Sequence, residues 1–213
     1  MSYNWSVADL QQLKTQFLEY LEIEKNRSPK TAENYNHYLN RFFKFVGISM
    51  PNQITEDLIR KFRLHLNRMH DRHGQPLKKI TQNYHVIALR SFLKYLAKRD
   101  INVVPAEKIE LAKQEEREVT FLEPYELDKF LKSPEGTILA SLRDRSILET
   151  LFSTGLRVSE MCSLNRDQID LKRGEFSVRG KGSKIRVVFL SDTAKAALTS
   201  YLDKRVDIHE ALF

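Results

Sequence analysis

The sequence has almost no cysteine and no long apolar run. Cys162 is the only cysteine among 213 residues, so an intrachain disulfide is excluded and a reducing compartment is favoured. Its apolar neighbours Met161 and Leu164 predict a buried thiol. No apolar run approaches the ~20 residues that a membrane-spanning helix needs, and residues 1–6 lack the basic and apolar regions of a signal peptide. We therefore expect a cytoplasmic protein without a membrane partner.

Acidic residues are scarce in one long stretch of the chain. The whole sequence carries a formal charge of +7. Residues 26–99 alone contain 15 Lys/Arg and 4 Asp/Glu, which is a net charge of +11. Concentrated positive charge of this kind suits a polyanion such as a nucleic acid. A membrane surface is the competing partner, but the helical patterns here carry ordinary apolar stripes.

Four amphipathic helices are predicted in the first half, over residues 7–25, 29–46, 55–69 and 78–99. Ser28 and Pro29 suit the N-cap and first position of the second helix, and Thr55 can cap the third. The inward faces are predicted to include Tyr35, Tyr38, Leu39, Phe42 and Phe45 in the second helix, Leu58, Phe62, Leu66 and Met69 in the third, and Ile80, Tyr84, Ile87, Ala88, Phe92, Tyr95 and Leu96 in the fourth.

The second half has a mixed pattern. Helices are predicted at 124–132, 138–153 and 157–164, and a last helix starts at Ser191 or Asp192. Between them, two β-rich runs end at Arg179 and begin at Lys184, and they flank a glycine-rich hairpin turn. Residues 100–119 read as a linker, so we expect a helical domain at 1–113 and an α+β domain at 114–213. The alternative is an exposed helix end within one continuous domain.

Two motifs stand out in the second domain. The run from Ser153 to Glu160 reads STGLRVSE, and 24 residues after Arg157 the hairpin places Lys181 between two glycines. An arginine fork can neutralise phosphate oxygens, and a lysine can protonate a leaving oxygen. The plainer alternatives are that Arg157 pairs with Glu160 or a helix C-terminus, and that Lys181 is solvated. Arg179, Lys184 and Arg186 extend the positive patch or protect a sheet edge.

The TGLRVSE string, the GKGSKIR hairpin and the basic helical half resemble the tyrosine recombinases of the phage integrase family, Xer-type members above all. The resemblance implies a SAM-like core-binding domain followed by a catalytic domain that cuts DNA through a 3′-phosphotyrosyl intermediate. It also implies that Arg157 clamps the scissile phosphate, Lys181 is the general acid and Glu160 supports the arginine. It implies double-stranded DNA and other recombinase subunits, tetrameric in the complete protein, as partners, with no metal or cofactor.

The pattern departs from the family after the hairpin. No His-x-x-Arg follows Lys181, and the histidine and tyrosine found there are His209 and Tyr201, the latter within a helical core pattern. We therefore assign no nucleophile. We expect a recombinase fragment, truncated at an apolar end that resembles a cut strand, which binds DNA but is inactive alone. A DNA-binding decoy that blocks recombination sites, or a helical scaffold with incidental charge, are the alternatives.

The predicted DNA contacts lie mainly at two helix starts and on the hairpin. Helix N-termini attract phosphates, and amide side chains such as those of Gln82 and Asn83 can read base edges. The predicted set is Ser28, Lys30 and Thr31; Lys78, Lys79, Thr81, Gln82 and Asn83; Arg90 and Lys94; and Arg179, Lys184 and Arg186.

Overall fold

The computed structural model describes residues 9–113, 120–180, 182 and 184–213. Within them the α-helices are α1 (Leu10–Ile23), α2 (Pro29–Val46), α3 (Glu56–Arg68), α4 (Lys79–Ala97), α5 (Pro124–Leu131), α6 (Leu139–Thr154), α7 (Val158–Met161) and α8 (Asp192–Lys204). The strands are β1 (Glu175–Arg179) and β2 (Ile185–Phe189). The mainly α fold with one small antiparallel hairpin is confirmed. The chain divides into a helical unit, Met1–Arg117, and a mixed unit, Glu118–Phe213.

Local signals set the ends of the helices in the helical unit. The Ser28 side chain accepts a hydrogen bond from the backbone N–H of Thr31 at 3.3 Å, which satisfies an otherwise unpaired donor at the start of α2. Gly47 ends that helix at φ +63°, a left-handed conformation that glycine adopts without steric cost. Thr55 caps α3 in the same way through the N–H of Leu58.

Aromatic side chains dominate the core of the helical unit. Phe17, Phe42, Phe62 and Phe92 are fully buried. The rings of Phe17 and Phe92 meet edge to face at 5.4 Å, and those of Phe42 and Phe62 at 5.1 Å. Edge-to-face contacts add to the free energy of burial. These four rings join α1, α2, α3 and α4 into one core.

The buried face of α4 differs from the predicted stripe. Ile80 and Tyr84, predicted to lie inward, are 42% and 45% exposed, whereas the polar residues Asn83 and His85 are buried. Other elements contact α4 from several sides, and they supply hydrogen-bond partners that make polar burial tolerable. Phe45 of α2 was also predicted inward and is 37% exposed.

Much of the predicted linker packs on the helical unit. Ile101, Ala106 and Ile109 are buried in its core. Asn83 holds the segment at Ala112, donating to its C=O at 2.8 Å and accepting from its N–H at 3.0 Å. The first part of the 100–119 stretch is therefore ordered against α4, and residues 114–119 lie outside the described part of the chain.

The mixed unit is built on α6, α8 and the hairpin. The strands pair antiparallel with Val178 opposite Arg186 and Phe176 opposite Val188. One side of the hairpin packs through Phe176, Val178 and Val188 into the core. The buried-thiol prediction for Cys162 is wrong, because its side chain is exposed while Met161 beside it is buried. Neighbouring residues on a helical turn face different directions.

None of the described helices is long and apolar enough to cross a membrane.

Candidate nucleic-acid interface

A buried carboxylate organises the motif around Arg157. Gly155 ends α6 at φ +60°, and Arg157 is the N-cap of the short helix α7. Glu160, three residues on, reaches back and accepts the backbone N–H of Arg157 on Oε2 at 2.8 Å. Its Oε1 accepts Nη1 of the Arg157 side chain at 2.9 Å. The tight turn therefore fixes both the backbone and one edge of the guanidinium of Arg157.

Arg186 binds the same carboxylate from β2. Its Nη1 donates to Oε1 of Glu160 at 3.1 Å and its Nη2 donates to Oε2 at 2.9 Å, a two-point ion pair across 26 residues of sequence. Only 8% of the Glu160 side chain is exposed. The Arg186 hydrogen bonds, followed by the backbone N–H of Arg157, lower the pKa of Glu160 to about 2. The carboxylate is therefore ionised at any physiological pH.

The guanidinium of Arg157 faces solvent despite this contact. Its side chain is 62% exposed, compared with 38% for Arg186. Nη1 contacts Glu160, while the rest of the guanidinium fork extends from the exposed surface. Such an arginine can bind the non-bridging oxygens of a phosphate in solution with little rearrangement. The structure shows the pairing with Glu160 that the sequence offered as the plainer alternative, and this pairing leaves more than half of the Arg157 side chain exposed.

The hairpin turn begins beside this cluster. The backbone N–H of Gly180 donates to the C=O of Lys184 at 2.8 Å and closes the base of the turn. A Cβ atom on Gly180 would lie 2.9 Å from Nη1 of Arg186, closer than real contacts allow. Arg179 and Lys184 are exposed. Lys181, predicted as the general acid, lies outside the described residues.

The start of α2 borders a basic pocket. Ser28 and Thr31 bond to each other through their hydroxyls at 3.0 Å, and Lys30 pairs with Glu33 at the surface. The pocket, about 220 Å³, is lined by Thr31, the predicted Lys94, and Tyr20, Leu21, Lys25, Arg27, Tyr35, Ser91, Tyr95 and Lys98. Four of these residues are cationic and none is acidic, so an anion such as a phosphate suits the pocket. Lys25, Arg27 and Lys98 were not among the predicted contacts, although they lie in or beside the basic stretch.

At the start of α4 the predicted contacts separate into two groups. Lys78 and Lys79 are exposed, and Nζ of Lys79 donates to Asn67 at 2.6 Å. Asn83, by contrast, is 3% exposed and uses its amide on the backbone of Ala112. The prediction that Asn83 contacts DNA is therefore wrong, because its hydrogen-bonding groups are buried and already paired.

Further predicted residues of α4 have partners within the protein. Gln82 donates to the C=O of Leu77 at 2.7 Å. The half-buried Thr81 lies next to it, and its backbone C=O is 2.9 Å from Nδ1 of His85. Lys94 pairs with Glu107 at 3.2 Å but is still 55% exposed, and Arg90 is half-buried. The charged group of Lys94 is therefore more accessible to solvent than that of Arg90.

The described part of the chain contains no group of three or more His, Cys, Asp or Glu side chains arranged to hold a metal ion. Among the described residues, Arg157 and Arg186 form ion pairs with Glu160.

Comparison with protein families matches both halves of the chain. Residues 120–213 match the model described as "Phage integrase family", and residues 15–100 match "Phage integrase, N-terminal SAM-like domain". The chain is 33% identical over 206 residues to the tyrosine recombinase XerC of Bacillus subtilis (strain 168), an alignment that covers 92% of this chain and 67% of the relative. For the XerC of Bacillus pumilus (strain SAFR-032) the identity is 34% over 194 residues, 91% of this chain and 63% of the relative.

Solved structures share the fold. A Tn1549 transposon integrase in complex with circular intermediate DNA aligns with a TM-score of 0.70 at 14% identity, covering 94% of this chain and 70% of that one. XerH bound to its difH substrate aligns at 0.62 and 21%, covering 94% and 61%. A lambda integrase tetramer on a Holliday junction aligns at 0.68 and 18%, covering 92% and 57%. The chain spans about three fifths to two thirds of the length of the curated relatives it matches.

Proposed function

Because the chain belongs to the phage integrase family of tyrosine recombinases, we propose that it binds duplex DNA and contributes the phosphate-clamping part of a strand-exchange active site. The observation that carries this proposal is the exposed guanidinium of Arg157, which the buried, ionised Glu160 holds through Nη1 while it also accepts the backbone N–H. A cation fixed in place before the phosphate arrives stabilises the negative charge of the transition state without reorganisation.

The chemistry proposed for the complete site is a phosphoryl transfer. A tyrosine oxygen attacks the scissile phosphorus while the bond from phosphorus to the 5′-oxygen breaks, and a 5′-hydroxyl later reverses the step. Arg157 binds the non-bridging oxygens, and Lys181, assigned by its place in the GKG motif, protonates the departing 5′-oxygen. Glu160 stays ionised and orients Arg157.

This chain supplies no residue that we assign as the nucleophile. Tyr201, the tyrosine that follows the hairpin, is 3% exposed and stacks on Phe213 with ring centroids 5.9 Å apart. A hydroxyl in that environment is poorly placed to reach a DNA backbone. We therefore propose that the 213 residues bind DNA and that cleavage requires a tyrosine and further cations from outside this sequence.

Affinity for DNA is proposed to come from the helical unit. The relevant cations are the exposed Lys78 and Lys79 at the start of α4 and the four that line the pocket beside α2. The Tn1549 integrase was solved in complex with DNA, XerH was solved bound to its difH substrate, and lambda integrase was solved as a tetramer on a Holliday junction. By analogy we propose duplex DNA, and further recombinase subunits on it, as partners.

The test is fluorescence anisotropy with a labelled duplex of about 30 base pairs at several salt concentrations. Each phosphate neutralised contributes roughly 0.9 to the slope of log affinity against log salt. We expect a steep slope for the wild type and a slope flatter by about 0.9 for Lys78→Ala and for Lys98→Ala.

Lys61→Ala is the matched control, because Lys61 is an exposed lysine that pairs with Asp57 on α3. It should leave the slope unchanged. No binding at low salt, or equal effects of all three substitutions, would reject the proposed interface.

A further inference from the structure

Arg186 lies on the inward side of the hairpin although it is charged. Along β2 the residues Ile185, Val187 and Phe189 are exposed, while Arg186 and Val188 are more buried. Because side chains alternate along a strand, Arg186 shares its side with Val188, which is part of the core. The hydrophobic core thus sets where the guanidinium of Arg186 lies.

We propose that Arg186 is a positioning residue that acts through Glu160 on Arg157, and that it does not itself contact DNA phosphates. This proposal rests on the proposed function only in assigning a phosphate to Arg157. The geometric basis is the Glu160 carboxylate, each oxygen of which accepts one hydrogen bond from each arginine.

The consequence of removing Arg186 follows from the burial of Glu160. A carboxylate that is 8% exposed needs hydrogen-bond donors wherever it is ionised. Without Arg186, the guanidinium of Arg157 is the cation among the described residues that remains hydrogen-bonded to Glu160. Arg157 would then turn more of its fork onto Glu160 and present less of it to a phosphate. Arg186 therefore leaves the outer edge of Arg157 available for DNA.

Gly180, at the base of the hairpin turn, leaves room for the ion pair between Arg186 and Glu160. A Cβ atom there would lie 2.9 Å from Nη1 of Arg186 and 3.4 Å from Oε1 of Glu160. Gly180 also closes the turn through its hydrogen bond with the C=O of Lys184. The lack of a side chain at this position lets the guanidinium lie against the backbone at the base of the turn.

A double-mutant cycle on DNA affinity separates positioning from direct contact. Arg186→Ala should weaken duplex binding by roughly tenfold, the order of one hydrogen bond to a charged group. The same substitution in an Arg157→Ala background should change affinity by less than about 1.5-fold, because Arg186 acts through Arg157. Equal losses in both backgrounds would show a direct contact to DNA and overturn the proposal.

Charge-conserving variants give the second arm. Lysine keeps the charge of Arg186 but lacks the planar fork that binds both carboxylate oxygens. Arg186→Lys should therefore resemble Arg186→Ala, whereas Arg173→Lys, at an arginine that is 75% exposed and lies just before β1, should resemble the wild type. Wild-type affinity in Arg186→Lys would overturn the proposal, since a phosphate contact tolerates lysine.

NMR spectroscopy tests the positioning role of Arg186 without DNA. Failure of the chain to bind DNA would reject the proposed function but would leave this test in place. Arg186→Lys should shift the Nε–Hε resonance of Arg157 and raise the pKa of Glu160, measured by its side-chain carbon signal. Arg173→Lys should change neither. If Arg186→Lys does not fold, Gly180→Ala displaces the guanidinium without removing it and should give the same two changes. Unchanged Arg157 and Glu160 signals in the folded variant would overturn the proposal.

Discussion

Substitution of Asn83 by alanine distinguishes a structural residue from a DNA-reading one. The sequence suggests that Asn83 reads a base edge, whereas the structure buries its amide against the backbone of Ala112. Asn83→Ala should therefore lower the stability of the helical unit and leave the salt dependence of DNA binding unchanged. Asn83→Asp should be more damaging, because a carboxylate cannot donate to the C=O of Ala112.

The expected size follows from the two hydrogen bonds that an alanine side chain cannot make. Each contributes about 1 kcal/mol to the free energy of unfolding. The higher helix propensity of alanine offsets roughly 0.5 kcal/mol of this loss in the free energy of unfolding. The net destabilisation is about 1.5 kcal/mol, which lowers the melting temperature of a domain of this size by roughly 6 °C or more.

Urea denaturation followed by far-UV circular dichroism measures the change, and Lys79→Ala serves as the control on the exposed start of α4. The control should remain within about 0.5 kcal/mol of the wild type. Wild-type stability of Asn83→Ala together with lost discrimination between duplex sequences would refute the structural role of Asn83.

Three other predictions concern capping and pH. Ser28→Ala removes the acceptor for the N–H of Thr31 and should cost about 1 kcal/mol in thermal unfolding, with an unchanged melting temperature contradicting the cap. Burial lowers the pKa of His85 to about 4, so the unfolded chain binds a proton at higher pH than the folded chain does, and the free energy of unfolding should fall as pH drops from about 6.5 to 4. His85→Gln should flatten this pH dependence in urea titrations. The same pH dependence in the variant and the wild type would reject the role of His85. The Arg186 and Arg157 donors lower the pKa of Glu160 to about 2, so its contribution to stability is present above the ordinary pKa of about 4.3 and is lost as pH falls towards 2. Glu160→Gln should therefore be less sensitive to acid in this pH range. Equal midpoints of acid unfolding in the variant and the wild type would argue against the ion pair.

Helix starts and ends were predictable because their signals are local. Helices α2 and α3 begin at the N-caps Ser28 and Thr55, which bond to backbone N–H groups three residues on. Helices α2 and α6 end at Gly47 and Gly155, which adopt a left-handed φ. Such effects need no knowledge of the rest of the fold. The helical pattern and the hairpin were therefore accessible from the sequence.

Burial on α4 was less predictable because it depends on distant partners. Asn83 is buried because Ala112, 29 residues away, meets both of its polar groups. His85 is buried beside Arg41, whose Nη1 lies 3.0 Å from Nε2 of the histidine. The pattern of apolar residues alone places the polar Asn83 and His85 on the surface. The same pattern places Ile80 and Tyr84 in the core.

The cluster around Arg157 was half predictable. The spacing of Arg157 and Glu160 within one turn suggested their contact, and the family resemblance assigned a supporting role to Glu160. The pairing of Glu160 with Arg186 depends on how the hairpin packs, since Arg186 follows the alternation of β2 onto the core side. From sequence, Arg186 was indistinguishable from the exposed Arg179 and Lys184.

The most direct test of the account is chemical-shift mapping of the 213-residue chain with a DNA duplex at low salt. We predict changes in the first turn of α2, at Lys78 and Lys79, and at the Nε–Hε group of Arg157, with the Asp57–Lys61 face of α3 unchanged. Changes restricted to the helical unit, with Arg157 unaffected at saturation, would contradict the claim that Arg157 binds a DNA phosphate.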